Sequence, residues 1–105
     1  MNVLRHYEIL LPLRFNDGRP VPESLRGEVV LELRQQFRAL TCETQVLQGF
    51  WESEGVFYED QLVRIYLDLP DTADNREFFK RYKERLKERF QQLDIWITSH
   101  LVDAL

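Results

Sequence analysis

His6 and His100, with the carboxylates Glu8 and Asp68, are the residues whose types suit metal or acid–base chemistry. Histidine ordinarily titrates near neutrality, and a His, carboxylate, His set can ligate a divalent cation or relay a proton. These residues lie far apart in the chain, so only a fold that joins its two ends makes a site of His6, Asp68 and His100. No spacing motif such as H-E-x-x-H accompanies them, and no metal or cofactor is implied. Arg14 and Arg19 form a second candidate, an anion site in "RFNDGRPVP", where a glycine turn precedes a helix start. Asn16, Asp17 and Gly18 read more simply as ordinary turn residues. Glu52, Glu54, Glu59 and Asp60 cluster loosely like an oxygen-rich cation site, but solubility accounts for them. Residues 76–89 hold seven Lys or Arg and three Glu. At helical spacing the basic residues flank the core stripe and meet glutamates such as Glu77 with Arg81 and Glu84 with Lys87, a solvated face rather than a phosphate site.

The elements that must position these residues follow from periodicity. Tyr7, Ile9, Leu11, Leu13 and Phe15 alternate with His6, Glu8, Leu10, Pro12 and Arg14, the period of a half-buried strand. After "NDGRPVP", a helix starting near Pro22 runs to about Leu40, with a core stripe of Leu25, Val29, Leu33, Phe37 and Leu40 and with Leu31 exposed. "TQVLQGFW" and "VFYEDQLVRIYLDL" read as two strands joined by "ESEG", where Gly55 can take positive φ. Thr72 or Asp74 caps a second helix carrying Phe79, Tyr82, Leu86, Phe90 and Leu93. "LDIWITSH" is the fourth strand. The order β-α-β-β-α-β predicts an α+β, ferredoxin-like fold: a four-stranded antiparallel sheet in order 4-1-3-2 with both helices on one face. Pro12 conflicts with a central strand, so the strand bulges there or its pairing ends before it.

The helices leave one sheet face open. Leu10, Leu62, Tyr66 and Trp96 stand on it, with either Leu47 and Trp51 or Val46 and Phe50 from the second strand. So large an apolar patch marks an interface, and a homodimer joined through the open sheet face is the simplest cover. The alternative is a lone tryptophan shielded by Leu101 to Leu105. His6, Asp68 and His100 gather at one end of the same face, with Cys42 near, which is the rival reading of a small metal-binding or acid–base enzyme. Single-stranded nucleic acid stacking on the sheet is a third. It is disfavoured because "QLVRIYL" lacks the RNP1 pattern and the net charge is −4.

A chain of 105 residues suits a single domain spanning 1–105, and 44% hydrophobic with 30% charged residues suits a soluble globule. Charges interrupt the start, "MNVLRHYEILLPLRF", so neither a signal peptide nor a membrane helix is expected. One cysteine points to the cytoplasm. "YEILLPLRFNDGRPVP", "YEDQLVRIYLDLPDT" and "NREFFKRYKERLKERFQQLDIWITS" resemble a family of short prokaryotic proteins of uncharacterised activity. The resemblance implies the ferredoxin-like fold and a cytoplasmic setting, and it carries over no catalytic residue.

Overall fold

The computed structural model describes residues 2–105. Six elements follow one another: β1 (Asn2–Pro12), α1 (Glu23–Phe37), β2 (Thr41–Ser53), β3 (Val56–Pro70), α2 (Ala73–Arg89) and β4 (Ile97–Ala104). The strands form one sheet in order β2-β3-β1-β4, with every neighbouring pair antiparallel. This is the ferredoxin-like α+β arrangement.

Alternation decides which face each strand buries. Tyr7, Ile9 and Leu11 of β1 and Val63, Ile65, Leu67 and Leu69 of β3 are buried together with Val29 and Leu33 of α1 and Phe79, Tyr82 and Leu86 of α2. Both helices therefore cover the same face. Tyr7 stacks on Phe79 at 4.1 Å between ring centroids, and Phe37 packs at 5.6 Å on Phe79. Removing this apolar surface from water is the main drive to fold. Thr72 caps α2 as its sequence position suggests, its hydroxyl accepting the Asn75 N–H at 3.2 Å. A cluster unforeseen in the sequence ties the helices together. Glu32 of α1 accepts from the Tyr82 hydroxyl at 2.8 Å, from Arg89 at 3.0 Å and from Arg85 at 3.2 Å. Burial, then the neighbouring carboxylate, pushes the Tyr82 hydroxyl pKa well up, so it stays protonated as a donor.

Three expectations need correction. First, α1 stops at Phe37 instead of about Leu40, because Arg38 turns left-handed at φ 71° and its N–H returns to the Arg34 carbonyl. Second, the fourth strand begins at Ile97, not near Leu93, and continues to Ala104. Leu101 thus pairs with Arg5, at the far end of the sheet from Trp96, and cannot shield it. Third, Pro12 forms no bulge and its pairing with β3 is not interrupted: it sits opposite Leu62 as the last residue of β1. The N–H groups of Leu10 and Leu13 fix the phase, since Leu10 donates to the Trp96 carbonyl and Leu13 to the Gln61 carbonyl. The nitrogen of Pro12 consequently faces the side where β4 has ended, so no ladder bond is lost.

The hairpin of β2 and β3 turns through Glu54 (φ 51°) and Gly55 (φ 79°), the two positive φ values of a two-residue hairpin loop. Its register shifts between Glu43 and Leu47. Glu43, Leu47 and Trp51 share the open face with their partners Arg64, Leu62 and Tyr58, whereas Phe50 pairs with Glu59 on the helix side. Beyond the helices that side is uncovered, and Phe50 and Phe57 are 70% and 79% exposed. No helix among the described residues is long and apolar enough to cross a membrane.

Candidate functional site

The open face has two ends of different character. At the charged end, β1 lies between β3 and β4, so His6 is opposite Asp68 on one side and His100 on the other. All three predicted residues are thereby brought together, as is Glu8. The His6 ring sits with Nδ1 2.6 Å from Asp68 Oδ1 and Nε2 3.0 Å from Glu8 Oε1. A neutral imidazole has one N–H and can donate to only one of them, while an imidazolium donates to both. Burial works against that charge, but the hydrogen bonds to Glu8 and Asp68 outweigh it and hold the His6 pKa above its ordinary value. The hydrogen bond from His6, helped by Arg64, holds the Glu8 carboxyl below its own. While the ring is protonated, both nitrogens donate to carboxylates and neither has a lone pair for a metal. The His100 ring stands 4.9 Å from the His6 ring, tilted by 43°. Among the described residues no group of three or more His, Cys, Asp or Glu is placed to hold a metal ion.

The network continues across the sheet. Arg64 of β3 reaches Glu8 at 3.6 Å and donates to Glu43 of β2 from Nη2 at 2.7 and 2.8 Å and from Nε at 3.2 Å. Asp68, His6, Glu8, Arg64 and Glu43 therefore form a chain of alternating sign over three strands. Cys42 does not join them: it pairs with Ile65 and so belongs to the helix side, and partial burial pushes its thiol pKa up, away from a reactive thiolate.

The apolar end holds a cavity of about 430 Å³, within the range of small-molecule sites. Leu10, Pro12 and Leu62 from the sheet, Gly49, Phe50, Trp51 and Asp60 from the hairpin, and Gln92, Asp94, Ile95 and Trp96 after α2 line it. A Cβ at Gly49 would stand 3.0 Å from Leu62 Cδ1, so a side chain there would require Leu62 to shift. Trp51 stacks on its cross-strand partner Tyr58 at 4.2 Å, and its indole N–H donates to Asp60 at 2.6 Å. Trp96 closes the rim and is 62% exposed, while Leu10, Leu62 and Tyr66 are half-buried. The expected interface residues thus share one face, but not a continuous apolar one: Arg64 stands between Leu62 and Tyr66. Of the two phases weighed for the second strand, Leu47 and Trp51 face outward here.

The Trp51 and Asp60 pair went unread in the sequence, though counting outward from the Glu54–Gly55 turn sets Trp51 opposite Tyr58 and Gly49 opposite Asp60. Arg14 and Arg19 spend their polar groups within their own loop. Arg14 donates to the Gly18 carbonyl at 3.0 Å, while Arg19 pairs with Asp17 at 2.6 Å and lies over the Phe15 ring.

No protein-family model matches the chain, and no curated protein matches it. Among solved structures it is similar to a phage SAM lyase in complex with S-methyl-5'-thioadenosine, at 12% identity and a TM-score of 0.66, over 96% of this chain and 90% of that one. The apo state of a phage SAM lyase aligns over 95% and 89% of the two chains, at 13% identity and a TM-score of 0.61. A de novo designed protein with a ferredoxin fold aligns over 100% and 88%, at 18% identity and a TM-score of 0.38. At such identities the lyase likenesses speak for the fold alone.

Proposed function

We propose that the chain is a self-associating protein whose open sheet face joins two copies in a homodimer. The observation that carries this reading is Trp96, 62% exposed beside half-buried Leu10 and Leu62 on a face that neither helix covers. Tryptophan is favoured at interface centres, and a two-fold contact buries the same patch twice. The charged end suits such a contact because it presents both signs, Asp68, Glu8 and Glu43 with His6 and Arg64. Single-stranded nucleic acid fits less well, since Glu8, Glu43, Asp60 and Asp68 all stand on this face. An acid–base or metal site at His6, Asp68 and His100 is also weaker, because His6 has committed both ring nitrogens. One sheet and one core support a single domain over residues 1–105, and the free thiol of Cys42 suits the reducing cytoplasm.

Solution mass by light scattering, over a range of concentrations, tests the proposal. The native chain should have twice the chain mass, and Trp96→Glu should reduce it to one. Phe57→Glu, on the helix side of the hairpin, should leave the dimer intact. A native monomer at all concentrations would overturn the reading. So would a dimer that survives Trp96→Glu and is split by Phe57→Glu, since that places the contact on the other side of the hairpin.

A further inference from the structure

We propose that the cavity between the hairpin and the 92–96 segment binds a small organic cation, an ammonium or other onium group with apolar substituents. The inference goes beyond self-association and does not rest on it, but Leu10, Leu62 and Trp96 belong to both, so it requires that the two-fold contact leave the mouth of the cavity open. Two indoles, Trp51 and Trp96, line the cavity above an apolar floor of Leu10, Pro12 and Leu62. Two carboxylates stand in its wall. Asp94 is already paired, with Lys83 at 3.0 Å. Asp60 is not paired with any basic side chain among the described residues. It is positioned by the Trp51 indole N–H at 2.6 Å through Oδ2, which leaves Oδ1 uncommitted, and the indole is itself held by its stack on Tyr58.

The two charged residues that line the cavity, Asp60 and Asp94, have the same sign. Residues 41–61 contain five carboxylates and no Lys, Arg or His, so this stretch carries −5 while the rest of the chain carries +1. Arg64 neutralises Glu43, and Glu52 and Glu59 stand on the helix side of the hairpin, so among the described residues Asp60 is the carboxylate at the cavity without a basic partner. A cleft with low-dielectric walls and one sign of charge concentrates the opposite ion. An anion would be repelled here. A neutral apolar guest would strip water from Asp60 and give nothing back, an unfavourable exchange. A cation with apolar substituents satisfies both parts of the site, its charge against Asp60 and the indole faces, its substituents against the floor.

Choline and its neutral isostere 3,3-dimethyl-1-butanol make the test, because they share a shape and differ in charge. Titrations of the full chain are read by tryptophan fluorescence, both tryptophans being at the cavity. Choline should give a saturable change, and the isostere should bind about tenfold more weakly or worse. Asp60→Asn keeps an acceptor for the Trp51 N–H and should bring choline down to the level of the isostere. Its light-scattering mass should match the native chain, which separates this result from the self-association test. Trp51→Leu should weaken both compounds. Equal affinity for choline and the isostere in the native chain would overturn the proposal, as would choline binding undiminished in Asp60→Asn or no saturable response to either compound.

Discussion

β3 presents two faces that differ in what they demand of a residue. Val63, Ile65, Leu67 and Leu69, pointing to the helices, are at most 7% exposed and all aliphatic. Leu62, Arg64, Tyr66 and Asp68, pointing away, comprise an apolar residue at the cavity, a guanidinium tied to two strands, an aromatic ring beside His6 and a carboxylate on His6. The covered face requires apolar volume, and one aliphatic residue resembles the next. On the open face each position has its own partner, so stability should concentrate on the first face and position-specific behaviour on the second.

The largest expected effect lies on the covered side. Leu33→Ala, at a residue with no exposed surface, should lower unfolding stability by about 2–5 kcal/mol, measured by urea denaturation. Leu62→Ala on the open side should cost about 1 kcal/mol, because part of that side chain already meets water. Equal losses would break the contrast and mean that the open face is sealed in solution by something as tight as the helix layer.

A smaller effect is expected at the seam between the helices. Glu32→Ala strands the Tyr82 hydroxyl and leaves Arg89, whose side chain is 19% exposed, without its principal carboxylate. Unsatisfied partners of this kind cost about 1–3 kcal/mol. Glu32→Gln, which can still accept from Tyr82, should cost less. A Glu32→Ala variant as stable as the native chain would mean that α1 and α2 are held by apolar packing alone, and the partition between stability and specific chemistry would then follow the two faces more sharply.

These two regions were not equally legible in the sequence. Alternation in Tyr7–Leu11 and Val63–Leu69 identifies the buried face outright, since a one-residue slip would put every aliphatic side chain into water. Gly55 marks the hairpin, and Thr72 marks the start of α2. Beyond that point the sequence pattern misleads. Ile95 and Ile97 have strand parity, yet Ile95 is buried from a loop and β4 only begins at Ile97. The register shift between Glu43 and Leu47 keeps parity while adding residues to one strand, and no local signal announces it. The cavity depends on how residues 91–96 leave α2, with Gln91 at φ 53°, a path set by tertiary packing. Glu32 meeting Tyr82 and Arg89 likewise requires two helices packed at one particular rotation.

The smallest effect concerns the charged end, and its value lies in direction. His6 has a pKa raised above the ordinary 6.5, so the stability it contributes is fully present below 6.5 and is lost as pH rises through its folded pKa. Glu8 has a pKa below the ordinary 4.5, so its contribution is present above 4.5 and is lost as pH falls through its own folded value. The two describe one interaction seen from both partners. The stability difference between the native chain and His6→Gln should therefore peak between about pH 4.5 and 6.5 and decline on either side, with a maximum under about 1 kcal/mol as for partly exposed pairs. Melting temperatures of the two proteins across pH 3.5–9 measure this, and NMR titration of the His6 ring should place its pKa above 6.5. A His6 that titrates below 6.5 would mean that burial prevails over the two carboxylates. The ring would then be neutral at pH 7 with one nitrogen lone pair free, and the charged end of the open face would regain the acid–base chemistry that the present geometry withholds.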